Sequence, residues 1–341
     1  MKCLPSTRYV GSKRKIVGWI WRKISRLRFD SVLDAFGGTG VVGYYLKRKG
    51  KRVVYNDFLK FNYLIGLAII ENNSVRLSRE DVDFILRWND EVDYGNFIEE
   101  NFRGLYYTDE ENRWLDMVVA NINSLKDRYK RALAFSALVQ ACLVKRPFNL
   151  FHRSNLKLRL NNVKRSFGNH YTWRKPFDKL FRRFVNEYNK LVFSNNLKNK
   201  ALNQDVFNLE VDVDLVYLDP PYLKRNGKGI DYKLYYHFLE GLVNYDKWGG
   251  MIDPKSSIKA LKRSRSPWTS KRRIRKAFSR LIEKFQDVKY IVLSYRSEGI
   301  PSRVEILEML RKCKGYVKCY STRYKYALSN DSSRELLFIA Y

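Results

Sequence analysis

The chain has 341 residues, 45% hydrophobic and 15% aromatic, enough for one large domain or for a core with a sizeable insertion. Its 66 Lys and Arg against 35 Asp and Glu give a formal net charge of +31, far more than solubility requires, which points to a polyanionic partner, nucleic acid before a membrane surface. The longest apolar helical stretch, 132–144, is too short to span a bilayer, and the four cysteines form neither a CxxC pair nor a metal spacing with the three histidines, so membrane, zinc and disulfide classes are set aside.

The first residues, MKCLPSTRYVG, lack the apolar run of a secretion signal, which leads to the expectation of a reduced, cytoplasmic protein. Residues 31–57 then read as strand, glycine loop, helix and strand. SVLDAF is a short apolar run, GGTG breaks it, VVGYYLKRKG is helical with Gly50 placed to stop it, and RVVYND is a second strand rich in β-branched residues. This βαβ opening predicts a parallel sheet covered on both faces.

The loop contains Gly38-x-Gly40-x-x-Gly43 between a strand and a helix, the context that a nucleotide-binding glycine fingerprint requires. Asp57 ends the second strand where the two hydroxyls of a ribose would be held. A nicotinamide dinucleotide and S-adenosylmethionine both suit such a loop. Asp34, at the tip of the first strand, favours the second, because a carboxylate there would repel a pyrophosphate and accept hydrogen bonds from an amino group.

From about Glu71 to Asn196 the pattern turns helical, as in REDVDFILRWNDEV and RALAFSALVQACLV. Strand signals return at DVDLVYLD, VKYIVLSY, GYVKCYSTRYKY and RELLFIAY, so a sheet begins, is interrupted and resumes. Charge is uneven. Residues 71–116 hold 13 acids and 5 Lys or Arg, whereas 145–183 and 255–284 each hold 12 Lys or Arg and one acid. The basic runs are interleaved with Phe148, Phe151, Phe167, Tyr171, Trp173 and Trp268, rings that could pack in a core or stack on bases.

The strand LVYL, 215–218, ends in Asp219-Pro220-Pro221-Tyr222. The prolines cannot donate to a sheet ladder and force the chain out of the sheet, leaving Asp219 at the carboxyl edge where open α/β sheets bind ligands. With FGGTG and DPPY in this order, the chain resembles the Dam-like family of DNA adenine methyltransferases. RYVGSKRKI is similar to that family's aromatic-x-G-x-K segment, with Tyr9, Gly11 and Lys13 on the matching positions. QDVF, 204–207, resembles the segment before the catalytic strand, and VLSY, ending at Ser294 and Tyr295, a later core strand.

The resemblance implies a Rossmann-like α/β methyltransferase core made of 1–70 and 197–341. It also implies a helical target-recognition insertion at 71–196 and a basic segment, 255–284, that could contact DNA. It implies Tyr9, Lys13, Asp34, Phe36, Gly38, Gly40, Asp57, Asp205 and Asp219 at the S-adenosylmethionine site, with S-adenosylhomocysteine as product. Adenine methylation then needs two acceptors on the exocyclic amino group, Asp219 and the Pro220 carbonyl, with Pro221 stiffening the loop and Tyr222 as a platform worth about 1–3 kcal/mol. The base would be flipped from duplex DNA. His237, between aromatics, reads as a packed helix histidine. The resemblance further implies no metal, a monomer and a restriction–modification setting with a cognate endonuclease. RNA adenine as substrate, a non-catalytic nucleic-acid-binding protein of the same fold and a nicotinamide oxidoreductase are the competing readings; the last leaves DPPY and the charge unexplained.

Overall fold

The apolar tetrads of the sequence become the inner strands of a seven-stranded sheet. The computed structural model describes residues 4, 9–147, 150–161, 170–264, 266–324 and 333–341. The strands in chain order are β1 (Ser31–Asp34), β2 (Arg52–Asn56), β3 (Lys200–Leu202), β4 (Leu215–Leu218), β5 (Leu223–Lys224), β6 (Tyr290–Arg296), β7 (Gly299–Ile300), β8 (Val317–Tyr324) and β9 (Ser333–Ala340). The predicted strand 315–326 is thus seen as far as Tyr324, and its last two residues lie outside the described residues.

The sheet order is β3-β2-β1-β4-β6-β9-β8, and β5 and β7 pair separately. β3, β2, β1, β4 and β6 run parallel, while β9 is antiparallel to both its neighbours. The chain moves outward from β1 through β2 to β3 and then returns to place β4 on the other side of β1. That is the topological switch point of an open α/β sheet, and the crevice at the carboxyl ends of β1 and β4 is its natural binding place.

β1 and β4 are buried along their whole length. Leu33, Val216, Leu218, Ile291 and Leu293 form one core layer with Phe278, Leu281, Ile306 and Leu310 of helices Ile274–Lys284 and Arg303–Cys313. Helices Val41–Arg48 and Lys60–Gly66 pack along β2. Both faces are therefore covered, as a parallel sheet requires.

The chain divides into two compact units. The sheet unit is Tyr9–Glu71, Ser194–Asp231 and Ser264–Tyr341. The helical unit includes Asn72–Phe193 and Tyr232–Arg263, so residues 232–263, placed in the core by the sequence reading, cluster with the helices, and the basic segment 255–284 is divided between the units.

In the helical unit, Arg128–Lys145 is buried almost throughout and packs against Phe177–Asn189, whose Phe181, Phe184, Val185 and Tyr188 face inward. Part of the basic run 145–183 is internal. Glu111 Oε1 lies 2.7 Å from both Lys145 Nζ and Arg159 Nη2, and Arg159 also donates to the Tyr106 carbonyl at 2.8 Å. Phe151 and Trp173 are core rings, Tyr171 is 74% exposed, and Phe148 and Phe167 lie outside the described residues. His237 is buried, with Nε2 3.2 Å from the Tyr106 hydroxyl, and burial followed by the charge of Arg146 pushes its pKa down to about 3. It is a neutral packing residue at ordinary pH. Among the described residues no helix is long and apolar enough to cross a membrane.

The entry into β1 and β4 is pinned by one side chain. Asp214 Oδ2 accepts from the Asp30 amide, the Ser31 amide and the Ser31 hydroxyl, each at 2.8 Å. The Asp30 amide lowers its pKa most, so the ionised form is the stabilising one. Its contribution is present above the ordinary aspartate pKa and is lost as pH falls through the lower native value. Asp214→Ala should cost about 0.5–1.5 kcal/mol, the scale of hydrogen bonds whose donors water can reach, measured by urea unfolding at pH 7, and the difference from wild type should shrink below pH 4. An equal loss at both pH values would refute the charged-acceptor account.

Candidate active site

The acids Asp34, Asp57 and Asp219 owe their positions to strand ends. After Asp34 the chain must leave β1 and start helix Val41–Arg48 within six residues. Gly38 and Gly40 make this possible by adopting φ values of +52° and +72°, a left-handed region that side chains other than glycine rarely occupy. At Gly37 the constraint is steric, since a Cβ there would stand 1.9 Å from the Tyr55 ring. The Tyr55 hydroxyl donates to the carbonyls of Gly38 and Asn62 at 2.7 and 3.0 Å, so β2 supplies the wall against which the loop is moulded.

Two buried carboxylates fix the same loop. Asp34 Oδ2 accepts from the Gly43 amide and Asp57 Oδ2 from the Gly38 amide, both at 2.8 Å. Asp57 Oδ1 accepts from Leu59 at 2.8 Å. Burial pushes Asp34 up to about 7, opposed by the Gly43 amide and reinforced by the charges of Asp219 and Asp57. Burial likewise takes Asp57 up to about 6, against the amides of Leu59 and Gly38. Carboxylates held in this state gain from a cation or from extra hydrogen-bond donors, which is the chemistry that an amino group or a diol would supply.

Tyr9 is buried against Gly38, 3.5 Å from the place a Cβ would occupy, and its hydroxyl accepts from Asn62 Nδ2 at 2.9 Å. Asn56, at the end of β2, donates to the carbonyls of Ala35 and Gln204 at 3.1 Å and accepts from the Gln204 amide at the same distance. This brings the segment after β3 beside the first loop. Asp205 there is exposed and accepts from the Phe207 amide at 3.0 Å, capping a short turn.

Phe36 meets Trp268 edge-on at 5.6 Å, and Trp268 stacks parallel on Phe207 at 5.9 Å. The one tryptophan of the long basic segment is therefore a ring of this cluster, with Arg280 over the far partner Phe207 at 4.4 Å.

On the other side of the switch point, Asp219 follows β4. Lys13 Nζ lies 3.0 Å from Asp219 Oδ1 and 2.7 Å from Glu335 Oε1, and the Ser294 hydroxyl donates to that same Glu335 oxygen at 2.6 Å. Burial raises Asp219 to about 6, the Lys13 charge pulls it down, and the Glu335 charge pushes it up again. Pro220 is buried, and Tyr222 is half-buried with its ring 5.8 Å from Tyr295 in an edge-to-face contact. The Tyr295 hydroxyl is itself tied to the Pro301 carbonyl at 2.8 Å.

The structure thus gathers Tyr9, Asp34, Gly38, Gly40 and Asp57 around one loop, and Lys13 with Asp219 across the sheet's switch point. Asp34 links the two groups through its interaction with Asp219. Lys13, expected from the resemblance at the cofactor, is drawn into the ion pair with Asp219. Sequence reading missed Asn62, Tyr55 and Glu335. A signal for the last existed in RELLFIAY, where one acid stands among residues that bury completely.

A model of the D12 class N6 adenine-specific DNA methyltransferases matches residues 9–309. The chain is 31% identical to the type II methyltransferase M2.HphI of Haemophilus parahaemolyticus over 98% of this chain and 97% of that one. It is 28% identical to M.FokI of Planomicrobium okeanokoites over 92% of this chain and 48% of the relative, and 27% identical to M.NlaIII of Neisseria lactamica over 90% and 89%. The switch-point acids and the DPPY strand end thus fall inside a match that covers most of the sequence, and the chain belongs to the D12 class of N6 adenine-specific DNA methyltransferases.

Proposed function

We propose that this enzyme transfers the methyl group of S-adenosylmethionine to the exocyclic amino group of an adenine flipped from duplex DNA, as a monomeric cytoplasmic modification enzyme of a type II restriction–modification system. The observation that carries the chemical part is Asp219, which ends β4 beside β1 and is held by Lys13 through one carboxylate oxygen. The other oxygen and the Pro220 carbonyl are the two acceptors for the amino group. They draw on its two N–H bonds and return the nitrogen lone pair, otherwise delocalised into the ring, to a position for attack. Tyr222 offers its face to the base, braced from the side by Tyr295. The modification setting is supported by the type II methyltransferases among the relatives.

The residues present fit the cofactor. The glycine loop is a cradle that side chains would obstruct at Gly37 and Gly43, where a Cβ would meet Tyr55 or come within 3.1 Å of Asp34. Asp34 suits the amino group of the methionine end and Asp57 the ribose hydroxyls. Phe36 and Tyr9 border the loop, and Asp205 stands at the turn that Phe207 follows. When bound, S-adenosylmethionine supplies an electrophilic methyl group on a sulfonium, and the protein's part is then to orient the amine in line. The helical unit supplies target recognition, together with the exposed basic residues of 255–284. Sequence choice would rest on those Arg, Asn and Gln side chains that reach base edges.

Purified protein incubated with methyl-labelled S-adenosylmethionine, unmethylated DNA and, separately, total RNA should place label in 6-methyladenine of the DNA. Asp219→Ala should lose at least about 100-fold in rate, the scale of a lost transition-state hydrogen-bond partner, while binding the cofactor within about threefold. Label confined to the RNA would move the substrate and end the DNA reading.

Cofactor affinity should also depend on pH. Asp34 near 7 and Asp57 near 6 must be ionised to hold an amino cation and a diol, so affinity rises as pH increases from 5.5 to 8. Calorimetric titration should show proton release on binding at pH 6. Affinity flat across this range, or falling with pH, would remove these two acids from the site.

A further inference from the structure

Lys13 is a buried cation that serves two carboxylates, Glu335 fully buried and Asp219 partly so. It comes from the turn Lys13–Lys15, Asp219 from the end of β4 and Glu335 from the antiparallel strand β9, three segments separated widely in sequence. Lys13 is 5% exposed and Glu335 is completely buried. A lysine paired with one acid would already be neutralised. A second acid on the same ammonium, with the buried Arg296 opposite it in the register of β6 and β9, points to a use beyond neutralising Lys13.

Methylation supplies that use. The amine receives a methyl group as a carbon without its bonding electrons, so the new N–C bond leaves the nitrogen positive until one N–H bond breaks and a proton departs. The Asp219 oxygen that Lys13 does not hold is the acceptor on this loop that can take a proton, since the Pro220 carbonyl is not basic. If Asp219 were Lys13's one partner, taking that proton would strand a buried ammonium. With Glu335 in place, Lys13 keeps a carboxylate at 2.7 Å when Asp219 takes the proton.

We propose that Glu335 is a positioning residue for methyl transfer: by sharing Lys13 and accepting from Ser294, it holds Asp219 in place and makes it basic enough to take the proton that the methylated amine releases. This rests on the adenine-methylation reading above. Among the described residues, Asp219 also interacts with Asp34 from β1, Tyr217 from β4 itself and Tyr324 from β8, and the buried Arg296 of β6 stands opposite Glu335 and meets Tyr222. Burial keeps Tyr217 and Tyr324 protonated at neutral pH, and Asp34 is common to every variant below.

The test is Glu335→Gln, which preserves shape and removes one charge. Its first readout needs neither cofactor nor DNA. Infrared titration of the carboxylate band, with Asp219→Asn as the reference, should show Asp219 ionising roughly one pH unit lower than in wild type, the scale of a neighbouring like charge removed. The second readout is single-turnover methylation, where the plateau rate should fall about 10-fold and its acid limb should move to lower pH, with cofactor affinity within about twofold. A third variant guards against a merely structural effect. Lys13→Met removes the ammonium that the two acids share, so adding Glu335→Gln should restore part of the activity that Lys13→Met loses.

An unmoved Asp219 titration, loss of cofactor binding in Glu335→Gln, or purely additive losses in the double variant would make Glu335 a strut and overturn the proposal. Failure of the wild-type enzyme to methylate DNA adenine would instead defeat the reading on which it rests.

Discussion

Burial of acidic groups at one end of one sheet is the constraint on which the site depends. Asp34, Asp57 and Asp219 all stand at or just beyond the carboxyl ends of parallel strands, and each is pushed upward in pKa by desolvation. A buried carboxylate is tolerated only where donors or a cation meet it. Asp34 meets Gly43, Asp57 meets Gly38 and Leu59, and Asp219 meets Lys13. The donors are of two kinds, and the difference matters chemically. Amides fix the two acids of the glycine loop without neutralising them, which leaves them short of positive charge. A full cation meets the acid at the end of β4 and opposes the desolvation that raises it to about 6.

The same constraint explains why the loop must be so closely specified. If the acids are to be held by backbone amides, the backbone must come to them. The chain does this by turning through left-handed glycines while Tyr55 fills the space that a side chain at position 37 would need. Glycine, tyrosine and the two aspartates are therefore one device: the tyrosine hydroxyl holds the Gly38 carbonyl, and the amide of the same residue holds Asp57. Changing one member moves the others.

How much of this was legible in the sequence follows from the range of the interactions. The βαβ opening, the glycine loop, Asp34, Asp57 and the DPPY strand end are local patterns, and strand-turn-helix grammar within a few dozen residues was enough to place them on the sheet. The helical interruption was legible for the same reason. Glu335 was not, because its meaning lies in contacts with Lys13 and Ser294, 322 and 41 residues away in the chain. The assignment of 232–263 to the helical unit was hidden likewise, since its packing depends on Phe238 and Trp248 meeting Phe102, Phe151 and Tyr106, rings far away in the chain. Trp268 lay between these cases. Its basic neighbourhood suggested a base-stacking ring, and the fold uses it to cover Phe36 and Phe207.

The basic runs show why net charge and charge use must be separated. In 145–183, Lys145, Arg146 and Arg159 are buried, two of them around Glu111 and the third among the rings of Phe151, Tyr235 and Tyr236. These cations cannot contribute to binding a polyanion as counterion-releasing contacts, which require surface exposure. They act instead as donors and ring partners inside the helical unit. In 255–284 the balance is different. Lys271, Arg272 and Arg273 are exposed ahead of helix Ile274–Lys284, while Ile274, Phe278 and Leu281 anchor that helix to the sheet core. The first run thus divides between buried cations and exposed ones such as Arg153, Lys157, Arg174 and Arg182, whereas the described cations of the second are mostly exposed. The excess of positive charge agrees with membership of a family of DNA methyltransferases, but only the pattern of burial separates the cations that can meet a polyanion from those that hold the protein together.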